Sequence, residues 1–318
     1  MPRNGMTPSP ESAGTNPPKA RPFLKWAGGK SQLLDAIRAR LPEGIGRDKI
    51  TRYAEPFAGS GAVFFDLSHR YSFTDCLLMD ANADLTLAYR TLQSCPETLI
   101  NTLAGMANEY RALSTEDRRA FYYAVRAAFN EPWLEPGRED AGLDAAVRTA
   151  RLIFLNRTCF NGLYRVNSRG KFNVPFGRYD NPAICDVANL RLVSRALQDV
   201  EIRTGDFESC ADFIDAHTFV YFDPPYRPLS KTAHFTSYAV QTFGDASQLR
   251  LARFFRELDR RGAKLMLSNS DPKNENPQDD FFERAYDGFR IERVKAARAI
   301  NSNARLRGPI NELIITNY

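Results

Sequence analysis

Tyr53-Ala54-Glu55-Pro56-Phe57-Ala58-Gly59-Ser60-Gly61 decides the fold of this chain. It reads as a strand, a tight glycine loop, and a helix from Ala62 to Leu67. Glycines at 59 and 61 let backbone come close to a ligand and reach φ values that other residues avoid. A glycine loop between strand and helix is a nucleotide-type cradle. It lacks the three spaced glycines of dinucleotide sites, and no Gly-Lys-Ser/Thr follows to make a phosphate loop. About twenty residues on, Leu77-Leu78-Met79-Asp80 is a second apolar run ending in an acid, at a distance that suits a ribose hydroxyl pair. Asp80 is also placed to cap a helix starting near Ala83, and the two roles are compatible.

Outward from this unit, short apolar or β-branched runs predict strands near 50–56, 75–80, 200–204, 218–222, 263–268, 290–296 and 311–316. Helices fit between most of them, among them Ser31–Arg40 and Gln248–Arg261. This alternation implies an α/β fold: a Rossmann-like open mixed sheet of about seven strands, mostly parallel. Ligands then sit at strand carboxyl ends where the sheet order reverses. Residues 83–185 break the rhythm. They are mainly helical (Glu116–Asn130, Ala145–Leu155), then loop-like to about Pro182. We therefore expect one domain from 21–82 and 186–318, with 83–185 as a mainly helical insertion. Residues 1–20 are rich in Pro, Ser, Gly and Asn and read as a disordered tail. Glu131–Gly142 and Ser270–Asp279 read as loops.

Composition excludes several classes. The 318 residues hold no apolar run near the ~18 residues of a membrane span. The N-terminus has no apolar core segment of the signal-peptide kind. Five cysteines (76, 95, 159, 185 and 210) are scattered without metal-ligand spacing, and three histidines are too few for a metal site. Free thiols in a reducing cytoplasm, no metal and a monomeric chain are the expectations. Net charge is +5, but its placement says more. From Ala145 to Tyr179 there is no acid, against seven basic residues: Arg148, Arg151, Arg157, Arg165, Arg169, Lys171 and Arg178. That segment is either a phosphate-facing surface or a solvated basic helix. Asn, Gly, Phe and Tyr interleaved through it favour the first. Arg290 to Arg307 is a second basic stretch.

Asp223-Pro224-Pro225-Tyr226 follows the apolar run Phe219–Phe222 and states a chemistry. Two prolines make a stiff turn. It fixes a carboxylate and a free carbonyl side by side, and two such acceptors hold the two hydrogens of a planar amine. Tyr226 adds a flat face for a planar ring. The group that fits is an exocyclic amine on a nucleobase, and the usual reaction there is methyl transfer. On its own the tetrapeptide can also be read as a turn after a buried strand.

The glycine loop upstream and Asp-Pro-Pro-Tyr downstream, in that order, resemble the S-adenosylmethionine-dependent amino-methyltransferases. Phe23-Leu24-Lys25-Trp26-Ala27-Gly28-Gly29-Lys30 resembles the opening motif of one branch, the Dam-type (D12 class) DNA adenine-N6 methyltransferases. Asn156 to Arg165 and Gly170 to Tyr179 resemble its central block. The resemblance runs from about Arg21 to Tyr318. It implies S-adenosyl-L-methionine as cofactor, double-stranded DNA as partner, and 83–185 as a target-recognition domain. The implied target is an adenine within GATC, flipped out of the helix. Asp223, Pro224, Pro225 and Tyr226 become the catalytic corner, with Tyr226 stacked on the adenine. Trp26, Lys30, Phe57, Gly59, Gly61, Asp80 and Asp223 become cofactor residues. Asp206 is a further candidate for the cofactor's adenine amine, or a helix cap. For DNA, Arg165 reads guanine, Leu163 and Pro175 touch a thymine methyl, and Lys25 meets the first base. Asn161, Arg178 and Tyr179 serve the orphan base or phosphates. Phe160 is a wedge into the vacated stack, or ordinary packing.

Cytosine-N4 and RNA-adenine methylation suit the same corner chemically. N4 enzymes more often carry Ser at the Asp position, and protein-glutamine methyltransferases Asn. A non-catalytic DNA-binding relative would be expected to lose the glycine loop or the Asp, and both are intact. A dinucleotide oxidoreductase fails on the loop pattern.

Overall fold

The computed structural model describes residues 18–26, 28–47, 49–132, 142–227, 243–297 and 309–318. Most of the expected tail, most of the 131–142 loop and the 298–307 part of the second basic stretch lie outside them.

Among the described residues, seven strands make one sheet: β1 (Arg52–Glu55), β2 (Asp75–Asp80), β3 (Val200–Thr204), β4 (Thr218–Phe222), β5 (Lys264–Ser270), β6 (Arg290–Ala297) and β7 (Pro309–Thr316). Their order is β3-β2-β1-β4-β5-β7-β6. The first five are parallel, and β7 runs antiparallel to both β5 and β6. Each expected strand is present, and the mixed α/β sheet is as anticipated. From β1 the chain builds outward to β2 and β3, then returns to lay β4 on the other side of β1. The order therefore reverses between β1 and β4, where a crevice opens at the strand carboxyl ends. The glycine loop leaves β1 there, and Asp223 leaves β4 beside it.

β4 is buried at all five positions. A parallel strand covered on both faces reads as an unbroken apolar run, as Phe219–Phe222 does. Alternate side chains feed two cores. Tyr53, Leu78, Phe219, Tyr221 and Met266 join one. Ala54, Leu77, Met79, Val220, Phe222 and Leu267 join the other. The second core is closed by α8 (Asp245–Arg260), whose Leu251, Phe254, Phe255 and Leu258 are buried at helical spacing. Burying each such side chain is worth about 1.5–3 kcal/mol.

On the first face lie α2 (Ala62–Arg70), α3 (Ala83–Ser94) and α7 (Val187–Ala196). Beyond them α4 (Pro96–Ala112), α5 (Thr115–Asn130) and α6 (Leu143–Thr158) pack through Tyr110, Phe121 and Phe154, and the apolar core runs on without a break. Along one face of α5, Tyr122 and Arg126 donate to the Val174 carbonyl and Asn130 to that of Phe172. These residues are four apart, one above another on the helix. They back the loop that follows α6. The expected helix at Ser31–Arg40 is shorter: a 3-10 turn at Lys30–Gln32, then α1 (Leu34–Arg38). Gly29 precedes it and offers no side-chain cap.

Candidate active site

Asp80 ends β2 and ties two loops together. One carboxylate oxygen accepts from the Gly59 amide at 3.0 Å and the other from the Asn82 amide at 2.9 Å. Burial raises its pKa, and those backbone donors oppose the rise. The cap of α3 is Asn82, which accepts from the Asp84 and Leu85 amides. Gly59 and Gly61 adopt φ of 46° and 68°. A Cβ on Gly61 would stand 2.7 Å from the Tyr89 hydroxyl and 2.9 Å from Phe65. Gly61→Ala is therefore expected to lower stability by about 2–4 kcal/mol, through backbone strain and overpacking together. A denaturant titration checks this: the midpoint should fall at unchanged slope.

A cleft of about 1420 Å³ spans the crevice. Trp26, Lys30, Phe57, Gly59, Asp80, Asp206, Asp223, Pro224, Pro225 and Tyr226 all line it. Gly61 does not and instead opens α2 behind it. Trp26 stacks on Tyr164 at 5.1 Å, and Tyr164 donates to Asp84. Phe57, Phe207 and Phe243 form an aromatic wall, with ring centroids 5.4 and 5.6 Å from Phe57. Asp206 is a helix cap: it accepts from the Glu208 amide at 3.1 Å, and its other oxygen pairs with Arg250.

The corner after β4 is held from several sides. One Asp223 oxygen accepts from Lys30 Nζ at 2.7 Å and from Ser268 Oγ at 3.1 Å. Lys30 Nζ also donates to the Gly28 carbonyl at 2.6 Å and lies 4.6 Å from the Tyr226 ring centre. The Tyr226 hydroxyl donates to Glu312 at 2.6 Å. Gln248 donates to the Pro225 carbonyl at 3.0 Å. The Pro224 carbonyl receives no donor among the described residues. Burial raises the pKa of Asp223; Lys30 opposes this strongly, and the Glu312 charge adds to it. Glu55 lies buried nearby, accepts from the Tyr53 hydroxyl at 2.9 Å, and is likewise raised by burial. Sequence reasoning gave Glu55, Ser268, Gln248, Asn269 and Glu312 no role. The signal it passed over was Ser268-Asn269-Ser270-Asp271, a polar quartet closing an apolar strand.

Of the seven basic residues between 145 and 179, the three on α6 bond inward. Arg148 pairs with Asp84 at 2.7 Å, Arg151 donates to the Ala128 carbonyl, and Arg157 to that of Phe23. Arg165, Arg169, Lys171 and Arg178 remain exposed. The exposed basic surface is thus narrower than the charge count, because the half-buried arginines of α6 bond to carbonyls and to Asp84. In the second basic stretch, Arg290 pairs with Glu292 and Arg293 with Asp271. Arg165 lines the cleft, with Nε bonded to Asn173 at 2.8 Å. Lys25, Phe160, Asn161, Leu163, Pro175, Arg178 and Tyr179 do not line it. Lys25 and Tyr179 line a separate hollow of about 410 Å³, with the ammonium 5.1 Å from the ring centre. The buried Asn156 amide clamps the Lys25 backbone and the Gly162 carbonyl. Phe160 is 54% exposed, so packing does not explain it. Asn161 takes φ 57°, Leu163 packs half-buried on the core, and Pro175 is exposed, its carbonyl accepting from the Phe160 amide.

No group of His, Cys, Asp and Glu among the described residues is placed to hold a metal ion, and the five cysteines are free. No described helix is long and apolar enough to cross a membrane.

A glycine loop and a carboxylate–carbonyl corner thus stand at the adjacent carboxyl ends of β1 and β4, in one cleft. The model for D12 class N6 adenine-specific DNA methyltransferases matches residues 26–300, and the chain belongs to that family. It is 48% identical over 301 residues to the type II methyltransferase M.MjaIII of Methanocaldococcus jannaschii, covering 94% of this chain and 100% of the relative. To the type II methyltransferase M1.LlaDCHI of Lactococcus lactis subsp. cremoris the figures are 39%, 94% and 95%. To the DNA adenine methylase of Escherichia coli K12 they are 33%, 93% and 95%. The protein is accordingly an enzyme of DNA adenine methylation.

Proposed function

We propose that the chain moves the methyl group of S-adenosyl-L-methionine to N6 of an adenine flipped out of duplex DNA, within GATC, leaving S-adenosyl-L-homocysteine and releasing one N6 proton. The observation that carries this reading is the pair of acceptors at residues 223 and 224, one carboxylate and one carbonyl that receives no donor among the described residues, in the cleft that also holds the glycine loop and Asp80. The sulfonium supplies an activated methyl. The residues fit such a cofactor: Asp80 for the ribose hydroxyls, Phe57 and its aromatic neighbours for the adenine ring, the Gly59 backbone and Trp26 along the remainder.

The N6 lone pair is delocalised into the ring and is a poor nucleophile. Asp223 and the Pro224 carbonyl each accept one N6 hydrogen, drawing the lone pair out of conjugation. As the nitrogen turns tetrahedral and positive, both acceptors hold it more tightly than in the ground state. Tyr226, steadied by Glu312, stacks on the base. Alignment of amine and sulfonium contributes the rest. Incubating the protein with labelled S-adenosyl-L-methionine and unmethylated DNA, then mapping the modified base, tests the reaction.

The loop after α6 is taken as the DNA-facing part of 83–185. Phe160 enters the gap left by the base, and Asn161, Arg178 and Tyr179 meet the orphan base or phosphates. Leu163, Pro175 and Lys25 contact neighbouring bases. Arg165, held to Asn173, reads a guanine with its remaining donors. Arg165→Ala should lose about 1–3 kcal/mol of discrimination at one base pair. Initial rates on GATC duplexes and on single-base variants measure this, and an unchanged ratio removes Arg165 from the readout. The names of the two relatives of higher identity favour a modification role of the type II kind. We place the enzyme in the cytoplasm, as a monomer.

A further inference from the structure

The Asp223–Arg227 corner must hold its shape with little help from its own backbone. Pro224 and Pro225 supply no N–H, so the usual ladder and turn bonds are unavailable there. Two side chains take over. Gln248 Nε2 donates to the Pro225 carbonyl at 3.0 Å, and Asn269 Oδ1 accepts from the Arg227 amide at 3.3 Å. The two amides join each other, Asn269 Nδ2 to Gln248 Oε1, at 3.3 Å. Both residues are fully buried.

Their placement is costly for stability alone. Gln248 stands one turn before Leu251 on the face of α8 that packs Phe254, Phe255 and Leu258 into the core. Amphipathicity predicts an apolar residue there, since a buried amide is tolerated only when bonded. Asn269 likewise sits inside β5, where every residue from Leu265 to Ser270 is buried. Of the corner's two proline carbonyls, one is tied into this pair, and the other receives no donor among the described residues.

We propose that Gln248 and Asn269 are positioning residues for methyl transfer: a buried amide pair that engages the Pro225 carbonyl and so presents the Pro224 carbonyl to the target amine. This rests on the reading of residues 223 and 224 as the amine's two acceptors. Neither residue lines the cleft, and each acts through the corner.

Two variants test it in the full-length protein. Gln248→Met removes the donor at similar volume. We expect kcat to fall on the order of 100-fold, as for a displaced reacting group, while the KM for DNA and the dissociation constant of S-adenosyl-L-methionine change less than about threefold. Gln248→Glu donates to Pro225 only while protonated. Its kcat relative to wild type should therefore fall as pH rises. The charged groups of the packed elements (Asp223 and Arg227 on the corner, Asp245 on α8, Asp279 beyond β5) are common to both proteins, so the ratio isolates position 248. If Gln248→Met does not fold, the Gln248→Glu ratio decides alone. Wild-type kcat in the Met variant, or a pH-independent ratio in the Glu variant, overturns the inference. A wild-type protein that leaves adenine N6 unmethylated sinks the underlying reading instead.

Discussion

Asp223→Ala should lower single-turnover methylation by about 10³-fold or more, the loss expected when a charged acceptor facing a developing opposite charge is removed. The nitrogen acquires a full positive charge as the methyl arrives, and the Pro224 carbonyl alone cannot balance it. Asp223→Asn keeps the shape and one acceptor oxygen without the charge, so it should fall between wild type and the Ala variant. The substitution leaves the buried Lys30 ammonium without its ion partner and should cost stability, but Lys30 keeps its bond to Gly28 and its place over Tyr226, so the protein is expected to remain folded. Equilibrium binding of S-adenosyl-L-methionine and the thermal midpoint check that the defect is chemical. A folded Asp223→Ala protein with undiminished turnover removes this residue from the mechanism.

The second large effect is expected at Lys30. Its ammonium lies 2.7 Å from Asp223 and above the Tyr226 ring, where the amine of a stacked base is proposed to enter. Asp223 faces charge and polarity from every side: Lys30 from the opening motif, Glu55 from β1, Tyr221 on its own strand, Ser268 from β5 and Glu312 from β7. Lys30 is the one cation in that set. Burial and Glu312 push the Asp223 pKa up, while Lys30 and Ser268 pull it down. Lys30→Met removes the strongest downward pull, so Asp223 stays protonated to higher pH. Activity needs the carboxylate and is lost as pH falls through its pKa. The acid limb of kcat/KM should therefore move to higher pH in Lys30→Met, with turnover at neutral pH reduced on the order of 100-fold, since a broken buried pair leaves its charge uncompensated. Partial recovery toward alkaline pH is the signature. A Lys30→Met profile superimposable on wild type would mean that the ion pair plays no part in the chemistry.

The sequence carried the sheet well because its strands are short, apolar and bounded by turn residues. The unbroken Phe219–Phe222 run announced a buried strand, and β4 is buried at all five positions. Strand order was not readable, since periodicity cannot say that β7 slips between β5 and β6. Local motifs exposed Gly59, Asp80 and Asp223, whose conformational or chemical demands are written in their neighbours. Partners brought together only by folding left no such trace. Lys30 on Asp223, Glu312 on Tyr226 and Gln248 on Pro225 each join residues distant in the chain. Charge counting over 145–179 overstated the basic surface for the same reason, as Arg157 finds the Phe23 carbonyl from the far end of α6. At Asp206 the cap and the ligand role were both open; the side chain caps the 3-10 turn at Phe207–Cys210 and also lines the cleft.

Nucleoside mass spectrometry of unmethylated duplex DNA after incubation with the protein and isotopically labelled S-adenosyl-L-methionine puts the two-acceptor corner to its most direct trial. Label recovered as N6-methyldeoxyadenosine, confined on sequencing to GATC and missing with Asp223→Ala, is the predicted result. Label on cytosine N4, or N6-methyldeoxyadenosine made equally well by Asp223→Ala, would contradict it.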